Sequence, residues 1–213
     1  MKLRHAIINI SLALAANGVA QNLVVNGSFE TPALATGTHY HVGLGSLGPW
    51  QTTEPQFEIW ANPSPTESAI DGTQHLEILD SAATSSVFQA VPTAPGQSYM
   101  FSFFHSPRPG FDNLLTVSIA SSVVGTFNEK GSVLSAFDWQ EFTTGFTATS
   151  STTTFMFTDT AITLAGNGTH IDNVRVTSVP EPTSAALLLV GAVHCLRRRS
   201  LRTHERSASQ ITE

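Results

Sequence analysis

Between Leu23 and Val176 the apolar positions recur every second residue, the period of a half-buried strand, not every 3.6 residues as on a helix. In QSYMFSFFHS, Tyr99, Phe101 and Phe103 share one face and Met100, Ser102 and Phe104 the other. NLLTVSIA sets Leu115, Val117 and Ile119 against Leu114, Thr116 and Ser118. Phe142, Thr144, Phe146 and Ala148 alternate with Thr143, Gly145 and Thr147, Phe155 and Phe157 flank Met156, and Val174 and Val176 close the series. The runs are rich in Thr, Val, Phe and Ser, which suit a pleated surface. Asn26-Gly27, Asp71-Gly72, Pro95-Gly96, Pro107–Gly110 and Asn167-Gly168 punctuate them as turns. The pattern predicts eight to ten short strands in an antiparallel sandwich or barrel, no helix before residue 183 and no internal repeat. The Gly- and Pro-rich stretch from Pro32 to Trp50 is expected to be a long loop, either a simple crossover or part of a binding face.

The two ends break this pattern. Lys2 and Arg4, the apolar run Ala6–Ala16 and the small residues Gly18-Val19-Ala20 predict a secretory signal helix over 1–20, cleaved after Ala20. Residues 178–200 read SVPEPTSAALLLVGAVHCLRRRS: a Pro-Glu-Pro turn, an apolar run and three arginines. The fourteen uncharged residues from Thr183 to Leu196 fall short of the roughly 20 that span a bilayer comfortably, so a short apolar helix serving as a temporary anchor is expected. The expected organisation is therefore a signal segment over 1–20, one domain over 21–178, a C-terminal apolar segment over 179–200 and a polar tail over 201–213.

Charge sharpens the picture of the middle. From Gln21 to Pro182 only Arg108, Lys130 and Arg175 are basic, against fourteen Asp and Glu, a net charge of −11. Such a surface repels phosphate backbones and excludes nucleic acid as a partner, while favouring cations. The lone cysteine, Cys195, lies in the C-terminal apolar run, which leaves the middle domain without thiols or disulfides.

Two resemblances add to this reading. Val179-Pro180-Glu181-Pro182, the apolar Ala185–Val193 and Arg197-Arg198-Arg199 resemble the PEP-CTERM sorting segment of exported bacterial proteins. That resemblance implies processing by an exosortase-type membrane protease, transient inner-membrane anchoring, and delivery to the cell surface, outer envelope or extracellular matrix. His194 inside the apolar run and the fourteen residues after the arginines depart from the family's pattern. In the middle, NLVVNGSFETP (22–32), PGQSYMFSFF (95–104) and HIDNVRV (170–176) resemble the galactose-binding-like jelly rolls of the choice-of-anchor C group, a pattern shared with uncharacterised plant cell-wall domains and several carbohydrate-binding modules. The implied fold brings the first and last strands together around a structural Ca²⁺, with Asn26, Glu30 and Asp172 at the matching positions. Calcium requires six to eight oxygen ligands, so carbonyls or water would complete the shell. The alternative is that Asn26-Gly27 is a turn, Glu30 is solvated and Asp172 accepts a backbone amide.

Sugar binding needs aromatic platforms beside hydrogen-bonding side chains. Trp50, Trp60, Glu58 and Tyr40 are the leading candidates; Trp139, Phe111, Glu77 and Asn113 are further ones, with Trp139 read as a strand residue equally suited to the core. His39-x-His41 would face one side of a strand as a transition-metal pair, needing His105 or His170 to join it. No nucleophile elbow, phosphate loop or His-Glu-x-x-His occurs; Glu58 and Glu77 are the pair a glycosidase would use. The expectation is a non-catalytic polysaccharide-binding module, with a structural or adhesion matrix protein as the alternative and a glycan hydrolase third.

Overall fold

The computed structural model describes residues 21–180, except 38, 62, 63, 65 and 79–81. The expected signal segment and all of the sorting segment beyond Pro180, including Glu181, Pro182 and Arg197–Arg199, lie outside the described residues. The described chain forms β1 (His39–Gly43), β2 (Gln51–Thr52), β3 (Gln56–Trp60), β4 (His75–Glu77), β5 (Thr84–Pro92), β6 (Ser98–Pro107), β7 (Asp112–Ile119), β8 (Ser122–Lys130), β9 (Gln140–Thr147), β10 (Thr152–Ala161) and β11 (Thr169–Ser178). One 3₁₀ turn, Gly131–Val133, is the only helical element among the described residues, and none of their helices is long and apolar enough to cross a membrane.

The strands make a six-stranded sheet in the order β1-β3-β4-β11-β6-β9 and a five-stranded sheet in the order β2-β5-β10-β7-β8. Every pairing is antiparallel. Alternation places Phe101, Phe103, Leu115, Val117, Phe155 and Phe157 inside, all essentially without solvent contact. Rings interlock across the gap: Phe101 lies 4.8 Å from Phe155, and Phe103 meets Phe157 edge-on at 4.9 Å. Sandwich formation follows from this alternation, since each sheet has one apolar face that only the other can cover.

Trp50 belongs to this core. Its ring packs on Phe29 and Phe157, its Nε1 donates to the Asn26 carbonyl, and it is 2% exposed. A large indole with its one polar atom satisfied inside is packing, which corrects its expected role as a sugar platform.

The ends of the domain meet, but not as two strands. The Asn22 side chain donates to the Val174 carbonyl and accepts from the Val176 N–H, while Gln89 brackets Val25 by accepting its N–H and donating to its carbonyl. Side-chain amides thus supplement two backbone bonds, from Leu23 N to the Val176 carbonyl and from Val174 N to the Gly27 carbonyl, and residues 21–30 run as turns beside β11. Gly27 is required here: a Cβ would stand 2.1 Å from the Val174 carbonyl oxygen. The stretch expected to be one long loop also differs, because His39–Gly43 pairs with β3 as the sheet's edge strand.

Candidate functional site

Two strands depart from alternation: β3 and β4 are buried on nearly every residue. Their inward side chains, Phe57, Ile59 and Leu76, enter the core. Their outward ones are Glu58, Trp60, His75 and Glu77, and these are buried too. The register makes a row across the sheet, with His41 opposite Glu58, Glu58 opposite Glu77, Glu77 opposite His170 and His170 opposite Ser106. Beside it, His39 faces Trp60 and Trp60 faces His75.

The cover comes from the segment before β9 and the loop after β6. Phe137 stands over His170 at 4.5 Å and His75 at 5.2 Å, and Trp139 meets His75 edge-on at 5.4 Å. Phe137 N donates to the Thr66 carbonyl and Trp139 Nε1 to that of Ser68, which fastens the cover to the β3–β4 connection. Arg108 lies over the Trp60 ring at 5.0 Å and beside Phe111 at 5.5 Å, and its Nη1 donates to both oxygens of Glu77. Its loop folds tightly on Gly131, where a Cβ would come within 2.2 Å of the Arg108 and Phe111 carbonyl oxygens.

Glu77 is the anchor of the floor. Besides Arg108, its carboxylate accepts from Trp60 Nε1 at 2.8 Å and Gly168 N at 2.6 Å. Burial and the neighbouring Glu58 raise its pKa to about 8, against the pull of Arg108 and Gly168. His75 and His170 have ring centroids 5.0 Å apart. Burial lowers the pKa of His75 to about 3 and that of His170 well below the ordinary value, so both are neutral at pH 7. Among the described residues none of their four ring nitrogens has a hydrogen-bond partner. Buried polar atoms are normally paired, and these four lie under a cover of two half-buried aromatics.

The structure therefore unites Trp60, Glu58, Glu77 and Trp139, and leaves other candidates elsewhere. Tyr40, opposite Ile59 on β1, projects to the other face of the sheet from His39 and His41. Trp139 lies just before β9 rather than in a strand. Asn113 is buried among the core-facing positions of β7. His105 also points inward, pairing with Glu129 at 2.6 Å. Arg108, Phe137 and His75 are the residues sequence reasoning missed, and His170 was considered only as a partner for His39 and His41. For His75 the signal was the outward positions of β3 and β4, which are Glu, Trp and His where β10 carries Thr152, Thr154, Thr158 and Thr160.

The expected calcium ligands do not form an ion site. Asn26 exchanges two hydrogen bonds with the Thr31 backbone. Glu30 accepts from the Thr73 and Gln74 amides and the Thr73 hydroxyl. Asp172 accepts the amides of Ile70, Asp71 and Asn173; burial raises its pKa to about 8 in spite of these bonds. N–H dipoles aimed at each carboxylate suit loop attachment and oppose a cation, so the residues present do not fit calcium.

The sequence from Asn22 to Thr177 matches the family described as protein of unknown function DUF642. The chain belongs to the DUF642 family. No curated protein matches it. Among solved structures this DUF642 domain is similar to TmCBM61, solved in complex with β-1,4-galactotriose, with a TM-score of 0.51 and 16% identity over 75% of this chain and 100% of that one. It also matches a structure described as "CBM4 structure and function" (TM-score 0.42, 18% identity, 72% of this chain and 98% of that one). A third is the native family 35 carbohydrate binding module from Clostridium thermocellum (TM-score 0.39, 10% identity, 67% and 100%). At 16% identity the first likeness is one of fold: an antiparallel sandwich of two β-sheets.

Proposed function

We propose that this DUF642 chain is a non-catalytic polysaccharide-binding module whose ligand lies across the outer face of the six-stranded sheet. The observation that carries the reading is the half-buried pair Phe137 and Trp139 above a floor of Trp60, Arg108, Glu77 and two neutral histidines with unpaired nitrogens. Sugars present apolar C–H faces that stack on rings and hydroxyls that need fixed donors and acceptors, and this face supplies both. Displacement of the aromatic cover would give the imidazoles partners.

Glu58 and Glu77 stand opposite one another as a hydrolase pair would. Yet Glu77 is fully buried and holds Trp60, Arg108 and Gly168, which supports a positioning role over proton transfer to a substrate. The same proposal includes delivery: residues 1–20 act as an export signal and 179–200 as a sorting segment handled by an exosortase-type protease. The basic, apolar and arginine-terminated patterns support it, and a mass spectrum reporting both mature termini tests it.

The binding test is a glycan array probed with wild type and Trp139→Ala. We expect binding to at least one polysaccharide, weakened roughly 30-fold or more by the substitution, the loss of about 2 kcal/mol typical of a central aromatic anchor. Unchanged thermal stability of the variant would confine the loss to the site. No binding to any polysaccharide would overturn the reading in favour of a structural or adhesion matrix protein.

A further inference from the structure

The edge of the same sheet carries a second arrangement that the sugar reading does not use. His39 and His41 lie two residues apart on β1 and so project to one side, and antiparallel pairing sets Glu58 of β3 directly opposite His41. One ligand atom from each of the three falls within 4.8 Å of the other two, the only such cluster of His, Cys, Asp and Glu among the described residues. His41 Nε2 stands 3.9 Å from Glu58 Oε2. We infer that His39, His41 and Glu58 form a binding site for a divalent transition-metal ion.

Three arguments carry it. The first is geometric. A tetrahedral ion with bonds of about 2.0–2.1 Å holds its ligand atoms about 3.3 Å apart, so the His41–Glu58 pair closes by only about 0.6 Å. Both imidazoles are exposed, and their ligand atoms already lie within 4.8 Å of the Glu58 carboxylate and of each other.

The second is electrostatic. Glu58 is 5% exposed, and the His41 imidazole opposite it stands 3.9 Å away, beyond hydrogen-bond reach. On its other side stands Glu77, itself a buried carboxyl. A buried carboxylate with a like neighbour is costly, and a bound cation offsets that cost directly. The three basic side chains of the described residues are engaged elsewhere, Arg108 with Glu77, Lys130 with Asp112 and Arg175 with Asp71.

The third is ligand chemistry. Two imidazoles and one carboxylate favour zinc, iron, nickel or copper over calcium or magnesium, which take oxygen shells. Three protein ligands also leave a coordination position for an outside oxygen. The site adjoins the aromatic patch, with the His39 ring 5.6 Å from that of Trp60. It requires no sugar, so it stands or falls independently of the proposed function.

The experiment is a calorimetric titration of the full chain with Zn²⁺ alone, repeated on His39→Ala, His41→Ala and Glu58→Gln. His5, His194, His204 and Cys195 are present in all four proteins, so any zinc they hold is a common background. We expect wild type to bind one more equivalent than His39→Ala, or to bind that equivalent at least ~10-fold more tightly. Zn²⁺ should raise the melting temperature of wild type and not of His39→Ala, a surface variant whose apo fold is unburdened. With Cu²⁺ as probe, the electron paramagnetic resonance spectrum should show two nitrogen ligands in wild type and one in His41→Ala. Identical zinc titrations of wild type and both histidine variants would overturn the site, as would failure of wild type to bind Zn²⁺ at all.

Discussion

Single residues in this protein are best understood by which side of a sheet they occupy. Trp50 and Trp139 are chemically identical and opposite in role: one fills the space between Phe29 and Phe157, the other caps His75 on the outer face. Trp50→Ala should therefore cost about 3–5 kcal/mol of stability, measured by chemical denaturation, whereas Trp139→Ala should cost little. His75 gives a pH signature. Its pKa is about 3 in the folded protein and near 6.5 in the unfolded chain, so the unfolded chain alone takes up a proton between those values. The contribution of this group is complete above pH 6.5 and is lost as pH falls, by about 1.4 kcal/mol per pH unit. Glu77 and Asp172, both raised to about 8, act with the opposite sign, weakening the fold as pH rises from about 4 towards 8. Phenylalanine suits the aromatic surroundings of His75. Stability of His75→Phe measured from pH 6.5 down to pH 4 should show a shallower acid loss than wild type. Parallel curves would show that His75 is not held neutral by burial.

At the scale of elements, alternation made most of the sandwich legible. Phe101, Phe103, Leu115, Val117, Phe155 and Phe157 face inward as the period of two requires. What periodicity could not carry was any feature set by a distant part of the chain. In β11, Ile171, Val174 and Val176 all enter the core, which strict alternation forbids. A bulge between Asp172 and Arg175, with Asn173 at a φ of 51°, shifts the phase by one residue. The burial of His75 was hidden for the same reason, because it depends on a cover roughly 60 residues later in the chain, at Phe137 and Trp139. Trp50 was misread because a loop residue next to Pro49 looks exposed until Phe29 and Phe157 close around it. The junction of the domain's ends makes a direct test. Gly27→Ala would press a methyl group on the Val174 carbonyl, and a loss of about 1–3 kcal/mol is expected in denaturant melts. An unchanged midpoint would mean that the opening turn does not pack on β11 as described.

On the scale of the whole molecule, two sheets divide the work. The five-stranded sheet shows solvent a surface of Thr and Ser, joined across strands by pairs such as Ser86–Thr158 at 2.8 Å. The six-stranded sheet gathers rings, carboxylates and imidazoles on its outer face. With the three basic side chains of the described residues already paired, a neutral polymer or a bound cation meets this surface more readily than a polyanion does. The three tryptophans report on this division separately, since Trp50 is inside, Trp60 is on the floor of the face and Trp139 is in its cover. The most direct measurement is an amide and indole N–H correlation spectrum recorded while a soluble polysaccharide fragment is titrated in. The indole signals of Trp139 and Trp60 should move with a common saturation curve while that of Trp50 stays still. Signals that stay fixed for every polysaccharide offered, or a shift confined to residues of the five-stranded sheet, would contradict the account.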